Sequence, residues 1–277
     1  MPQHKDDIKI LVGYHMPAPV IANGILTPIH LGRSLAEERF GKTAEPLFNL
    51  PLGDDTGDNI SRLNPRFSEM TGMYWAWKNY ERLGNPAYIG FLHYRRLLDF
   101  IHKPGANCGF VEKAEDVDPA VYAEDAIRAA VTGRNFCLRQ PVSVVRLDQA
   151  DGRISKMYTV REDYDRAHVI ADLDLAFALL AAKYPAYAQA AKEYGQSKQH
   201  FLCNLFVMKR DLFFHYAKVM FDVLFEADER ADYSGYSDYQ KRMPAFLSER
   251  LSGVFFHRLT NGAGANYRYL RGINIGV

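Results

Sequence analysis

The segment YIGFLHYRR, residues 88–96, closes an apolar run with His93, Arg95 and Arg96. Two guanidiniums beside an imidazole suit a diphosphate, because an Arg fork matches phosphate oxygens and stays charged at any working pH. The alternative is ion pairing with a nearby carboxylate such as Asp99, and residue types alone leave both open. Three Asp-x-Asp pairs could instead hold a metal on a diphosphate: Asp116/Asp118, Asp163/Asp165 and Asp172/Asp174. Chance alone gives one or two such pairs in a chain with this much Asp. None follows an apolar strand, so the basic cluster stands where a sheet would present a metal, and no metal ligand set is assigned.

Other side chains qualify by type. Gly57, Asp58 and Asn59 form a turn that could grip a ribose or uracil, or simply bond to itself. Glu69 can accept from sugar hydroxyls and Lys78 can neutralise phosphate, though both also suit a solvated helix face. Trp75 faces away from the Phe67, Met70, Tyr74, Trp77 stripe, which makes it a stacking candidate. His168 and Asp172 are four apart and could meet on one helical face. His200 and Asn204 flank the start of an apolar run, where a buried amide needs partners, either backbone or an acceptor sugar. Glu249 is a carboxylate inside an apolar helix, suited to act as a base or to pair with Arg250 or Arg242.

Alternating elements must position these groups. Residues 8–15 read as a buried first strand, and 50–65 as turn chemistry closed by Asn64 as cap and Pro65 at the first helical position. The periodicity predicts one helix from about Arg66 to Leu83, then a strand at 87–93. Asp118-Pro119 opens a helix reaching Gly133, 135–145 is extended, and a loop runs to about Asp165. Helices follow at 171–185 and 186–195, a buried strand at 201–209, and helices at 210–230 and 239–259, with Pro244 kinking or starting the last. A late strand is expected near 266–276.

The chain has 277 residues, 48% apolar and 24% charged, with net charge +1. That excludes a disordered chain and a polybasic nucleic-acid binder. Three widely spaced cysteines (Cys108, Cys137 and Cys203) without a CxxC argue against a disulfide framework and for a reducing cytosol. No leader and no membrane span is expected.

The stretches GDDTGDNISRLNPRFSEMTGMYWAWKN and YIGFLHYRRLLDF closely resemble the domain of unknown function numbered 4422. That is a family of glycosyltransferase-like proteins from bacterial capsule, O-antigen and exopolysaccharide clusters. AHVIADLDLAFALLAAKYPAY, CNLFVMKRDLF and AFLSERL are similar to its later blocks, so the resemblance spans about residues 8–260. Residues 54–56 depart from it, with Asp-Asp-Thr where the family has Asp-Asn-Thr.

The resemblance implies an α/β, GT-A-like (Rossmann-like) single domain over 1–277, its mostly parallel central sheet flanked by helices. A nucleotide-sugar half would cover about 1–110 and an acceptor and catalytic half about 111–277. It implies that HYRR takes the place of an Asp-x-Asp metal site, so no cofactor is required, with magnesium or manganese left open. The donor site would draw on His93, Arg95, Arg96, Asp58, Asn59, Glu69, Trp75 and Lys78, and the acceptor site on His200 and Asn204. Glu249 is the first candidate base, with Asp172 and His168 behind it. The expected activity is hexosyl transfer from a UDP-sugar, UDP-galactofuranose being one candidate, to a glycan or lipid-linked saccharide. It would take place in the cytoplasm, with peripheral contact at the inner face of the membrane. The competing reading is a nucleotide-sugar or glycan-binding module without turnover.

Overall fold

The computed structural model describes residues 7–105, 109–148 and 152–276. The chain packs as two compact units. One comprises Met1–Gln140, Asn204–Ala217 and Asn266–Val277, the other Pro141–Cys203 and Lys218–Ala265.

The first unit is built on a nine-stranded sheet. Its elements are β1 (Ile8–Tyr14), β2 (Leu26–His30), the short α1 (Ala36–Phe40), β3 (Leu52–Gly53), α2 (Asn64–Phe67), α3 (Met70–Lys78), β4 (Tyr88–His93), β5 (Arg96–Asp99), β6 (Gly109–Val111), α4 (Glu124–Val131) and β7 (Phe136–Arg139). The other unit contributes β8 (Val145–Leu147), β9 (Ile154–Met157), α5 (Val160–Ala167), α6 (Ile170–Lys183) and α7 (Ala188–Gln196). Then come β10 (Phe206–Lys209) in the sheet, α8 (Arg210–Arg230), α9 (Met243–Thr260) and β11 (Tyr267–Ile275), again in the sheet.

The pairs β1–β2, β1–β4, β2–β3, β6–β11 and β7–β11 are parallel, while β4–β5, β4–β10, β5–β11 and β7–β10 are antiparallel. The sheet is therefore mixed, which corrects the expectation of a mostly parallel one. The cause is local. Tyr94 and Arg95 turn the chain back so that His93 faces Arg96 across a hairpin. That turn lacks the Asn-Gly or Gly-X signal of a tight hairpin, so β5 was not foreseen.

Several expected elements differ. The helix expected from Arg66 to Leu83 breaks at Ser68, whose φ of 48° and ψ of −128° lie outside helical geometry. Asn64 is not a cap but the first residue of α2. Its side-chain amide donates to Ser68 O (2.9 Å) and Thr71 Oγ1 (3.2 Å), holding the break. Residues 119–122 form a 3-10 turn capped by Asp118, and only 124–131 are α-helical. The loop expected up to Asp165 contains the β8–β9 hairpin and most of α5, opened by a Thr159/Glu162 capping box. The strand expected from 201 begins only at Phe206. Pro244 lies in the first turn of α9 and starts it. Cys137 is a free, buried thiol, and Cys108 lies outside the described residues.

Candidate functional site

In the first unit, β2 flanks β1 on one side and β4 on the other. The gap between the carboxyl ends of β1 and β4 is thus a topological switch point, where open α/β sheets bind ligands. Three neighbouring parallel strands end in histidine at this edge of the sheet: β1 runs into His15, β2 ends at His30 and β4 at His93, with His15 and His93 flanking the gap. The first two were not singled out from the sequence. Their signal was an apolar run closed by His, the same pattern that drew attention to His93.

Aromatic stacking fixes the turn after β4. Tyr94 stacks on Tyr14 at 5.5 Å, and the Tyr14 hydroxyl accepts from Ile21 N at 2.8 Å. The His15 and His93 rings lie 5.4 Å apart. Burial pushes the His93 pKa down to about 3, and His15, Arg95 and Arg96 push the same way. His93 is therefore neutral at neutral pH. Its Nδ1 is buried and bonds to nothing among the described residues.

Arg95 is half-buried and Arg96 exposed. The Arg95 guanidinium sits 5.2 Å from the Tyr94 ring centroid, and its Nε is buried without a hydrogen bond. Among the described residues no carboxylate pairs with Arg95. The expected competitor, Asp99, instead accepts from Ile101 N (3.0 Å), His102 N (2.9 Å) and His102 Nδ1 (2.8 Å). A partly desolvated guanidinium at a ligand edge with no anion beside it is suited to receive one.

The loop after β2 is organised by Asp54, which sequence reasoning passed over. Its carboxylate is fully buried and accepts four bonds: Gly32 N (2.8 Å), Arg33 N (3.1 Å), Ser61 Oγ (2.6 Å) and Thr71 Oγ1 (2.5 Å). Burial raises its pKa while these four donors oppose the shift. Gly32 has φ 67°, and a Cβ there would come within 2.6 Å of Asn64, so the position requires glycine.

The remaining donor-site candidates divide. Glu69 stands at the head of α3 and accepts from Asn204 Nδ2 at 2.9 Å. Asn204, a buried residue with φ 49° that lies outside any strand, thereby orients Glu69. Trp75 is 1% exposed and donates to Thr56 Oγ1 at 3.0 Å, so the stacking role is corrected to a core one. Lys78 is exposed and lies 3.9 Å from the Trp77 ring centroid. Asn59 bonds to its own turn, donating to Gly57 O (2.9 Å) and accepting from Ser61 N (3.2 Å). Asp58 accepts from the Tyr74 hydroxyl at 3.1 Å. Both therefore build the turn, the plainer of the two readings of that segment.

In the second unit, Glu249 accepts from Cys203 N (2.8 Å) on one oxygen and from Arg250 (2.9 Å) on the other. Arg250 also reaches Asp163 at 3.2 Å. Cys203 has φ 72°, a backbone conformation that costs a non-glycine residue about 1–2 kcal/mol, and the Glu249 bond holds its amide there. Each Glu249 oxygen keeps a second lone pair. His168 ends α5 in extended geometry, stacked 4.0 Å from Phe246, while Asp172 lies in the first turn of α6 bonded to the Tyr236 hydroxyl at 2.7 Å. The expected His168–Asp172 face is therefore corrected: the two belong to different helices and have different partners. His200 is fully buried, its Nε2 3.1 Å from Tyr158 O, which removes it as an acceptor ligand.

Each Asp-x-Asp pair has at least one carboxylate already engaged. Asp118 caps Ala120 N at 2.9 Å, Asp163 meets Arg250 and Arg166, and Asp174 binds Arg161. Among the described residues no three His, Cys, Asp or Glu side chains are grouped to hold a metal.

None of the curated proteins searched matches the chain. A solved structure, the bifunctional glycosyltransferase WbbM in its apo state, is similar with a TM-score of 0.81 and 26% identity. The similarity covers 98% of this chain and 46% of that one, so the chain spans about half of WbbM. The model of the domain of unknown function DUF4422 matches residues 9–261, and the chain belongs to that family.

Proposed function

We propose that the chain is a glycosyltransferase that moves a sugar from a nucleotide diphosphate donor to a glycan hydroxyl in bacterial surface-polysaccharide synthesis. The observation that carries this reading is Arg95, a half-buried guanidinium at the β1–β4 switch point that no carboxylate pairs among the described residues. The likeness to WbbM supports the reaction class.

The acceptor oxygen attacks the anomeric carbon, and the bond from that carbon to the diphosphate oxygen breaks. The electron pair leaves with the diphosphate, where Arg95 and Arg96 stabilise the growing charge. Neutral His93 can donate a hydrogen bond to the same group. The acceptor proton leaves to a general base, for which Glu249 is the proposed group, each of its oxygens keeping a lone pair. A UDP-sugar is the proposed donor, UDP-galactofuranose among the candidates. The reading requires no metal and is compatible with magnesium or manganese carried by the donor. A cytoplasmic site with peripheral membrane contact fits a lipid-linked acceptor. No described helix is long and apolar enough to cross a membrane.

A second reading, a binding module without turnover, is favoured by one observation: both Glu249 oxygens already carry hydrogen bonds. UDP release from UDP-sugars in the presence of glycan acceptors separates the two. Acceptor-dependent release supports the transferase, whereas UDP binding without release from any donor tested supports the module.

A further inference from the structure

We propose that Tyr239, Phe246 and His168 form a saccharide-binding platform, the subsite that seats the acceptor ring beside Glu249. All four residues belong to the second unit. The His168 ring stacks 4.0 Å from Phe246 and 5.8 Å from Tyr239, at interplanar angles of 25° and 18°. Tyr239 and Phe246 lie 4.9 Å apart, so the rings pack mutually. Tyr239 is still 53% exposed although both neighbours pack against it. Its position is set in advance: Ser237 donates to Gln240 Oε1 from N (3.0 Å) and from Oγ (2.9 Å), closing the turn that carries it. A platform already in place binds without the cost of ordering it.

The chemistry of the rings selects a sugar. The C–H groups on one face of a sugar ring carry slight positive charge and meet the negative face of an aromatic ring, while its hydroxyls need polar partners at the edge. Burial holds the His168 pKa at about 4, with Arg250 and Arg242 pushing the same way against Asp163, so its ring is neutral at neutral pH. The Tyr239 hydroxyl and the Arg242 guanidinium, 5.4 Å from the Phe246 ring centroid, supply polar groups at the rim. The link to the base runs along α9. From Met243 to Phe256 every residue of that helix is buried except Phe246 and Glu249. These two are three apart, so they share one helix face, with Cβ atoms about 5–6 Å apart. A ring seated at Phe246 thus brings a hydroxyl to the Glu249 carboxylate. Naming that ring as the acceptor rests on the transferase reading, whereas saccharide binding by the platform does not.

The test is ligand-observed NMR titration of the full chain, without donor, with the methyl glycosides of galactose, glucose, mannose and N-acetylglucosamine. Wild type should bind at least one of them. For that sugar Tyr239→Ala should weaken binding by roughly fivefold to thirtyfold, the loss of one stacked face, while Tyr239→Phe keeps the ring and should lose no more than about threefold. Tyr239 is exposed, so neither variant should alter thermal unfolding or UDP affinity. Sugar binding that depends on Tyr239 supports the platform even where no UDP-sugar turns over. Wild type that binds none of these glycosides, or Tyr239→Ala that binds as wild type does, overturns the proposal. So does a concentration-dependent dimer that Tyr239→Ala abolishes, since a second copy would then cover the platform.

Discussion

Asp54→Asn exchanges one carboxylate oxygen for an NH2 group in a site where all four partners of Asp54 donate. Whichever way the amide turns, its nitrogen meets one backbone N–H and one hydroxyl. The hydroxyl, Ser61 or Thr71, can rotate and accept, but the Gly32 or Arg33 N–H cannot. One buried N–H is left unsatisfied, costing about 1–3 kcal/mol, and the surviving bonds lose their charge assistance at about 1 kcal/mol each. The sum is about 3–5 kcal/mol, a large share of a total stability of about 5–15 kcal/mol. At about 2–4 °C per kcal/mol, the melting temperature should fall by roughly 6–20 °C. Urea unfolding should show the same loss with an unchanged m-value. Stability within about 1 kcal/mol of wild type would refute the claim that this carboxylate organises the loop.

Three further outcomes are expected. Acid should destabilise the fold early: burial holds His93 at about 3, and His30 and His168 at about 4, against an ordinary 6.5. The unfolded chain takes up these protons first, so stability is present above about pH 6.5 and falls as the pH drops toward 4. The upper bound is about 1.4 kcal/mol per histidine per pH unit, which thermal melts from pH 7 to 5 would resolve. Glu249→Gln should lower turnover by about 10²–10⁴-fold with UDP affinity retained, and full turnover would remove it as the base. Trp75→Ala should cost about 3–5 kcal/mol of stability, as a core residue does; a selective loss of UDP affinity with normal stability would restore the stacking role.

What was legible in the sequence was whatever depends on local periodicity. β1, β4, α6, α7, α8, α9 and β11 follow from apolar runs and breaker residues. The His-Tyr-Arg-Arg segment was legible as a charged strand end. The rest depends on side chains distant in sequence. Ser68 breaks a periodic helix with Asn64 bonding across the break, and Trp75 packs in the core, bonded to a Thr56 distant in sequence. Cys203 and Asn204 leave strand geometry because Glu249 holds one and Glu69 the other, which no apolar pattern reports. Asp54 was hidden in an unremarkable turn, since its donors lie up to 22 residues away. The β8–β9 hairpin was missed because its bulge disrupts the alternation that marks a strand.

The central claim is that Arg95 receives the donor diphosphate. Calorimetry of UDP binding in EDTA, comparing wild type with Arg95→Ala, tests it most directly. The account predicts binding by wild type without added manganese. It predicts an affinity loss in Arg95→Ala of roughly tenfold to a hundredfold, the range for a charge-assisted hydrogen bond worth about 1.5–3 kcal/mol. Among the described residues the substitution removes the weak cation–π contact with Tyr94, so the melting temperature should move by no more than about 4 °C. Equal UDP affinity in wild type and Arg95→Ala, or binding that appears only with manganese, would contradict the account.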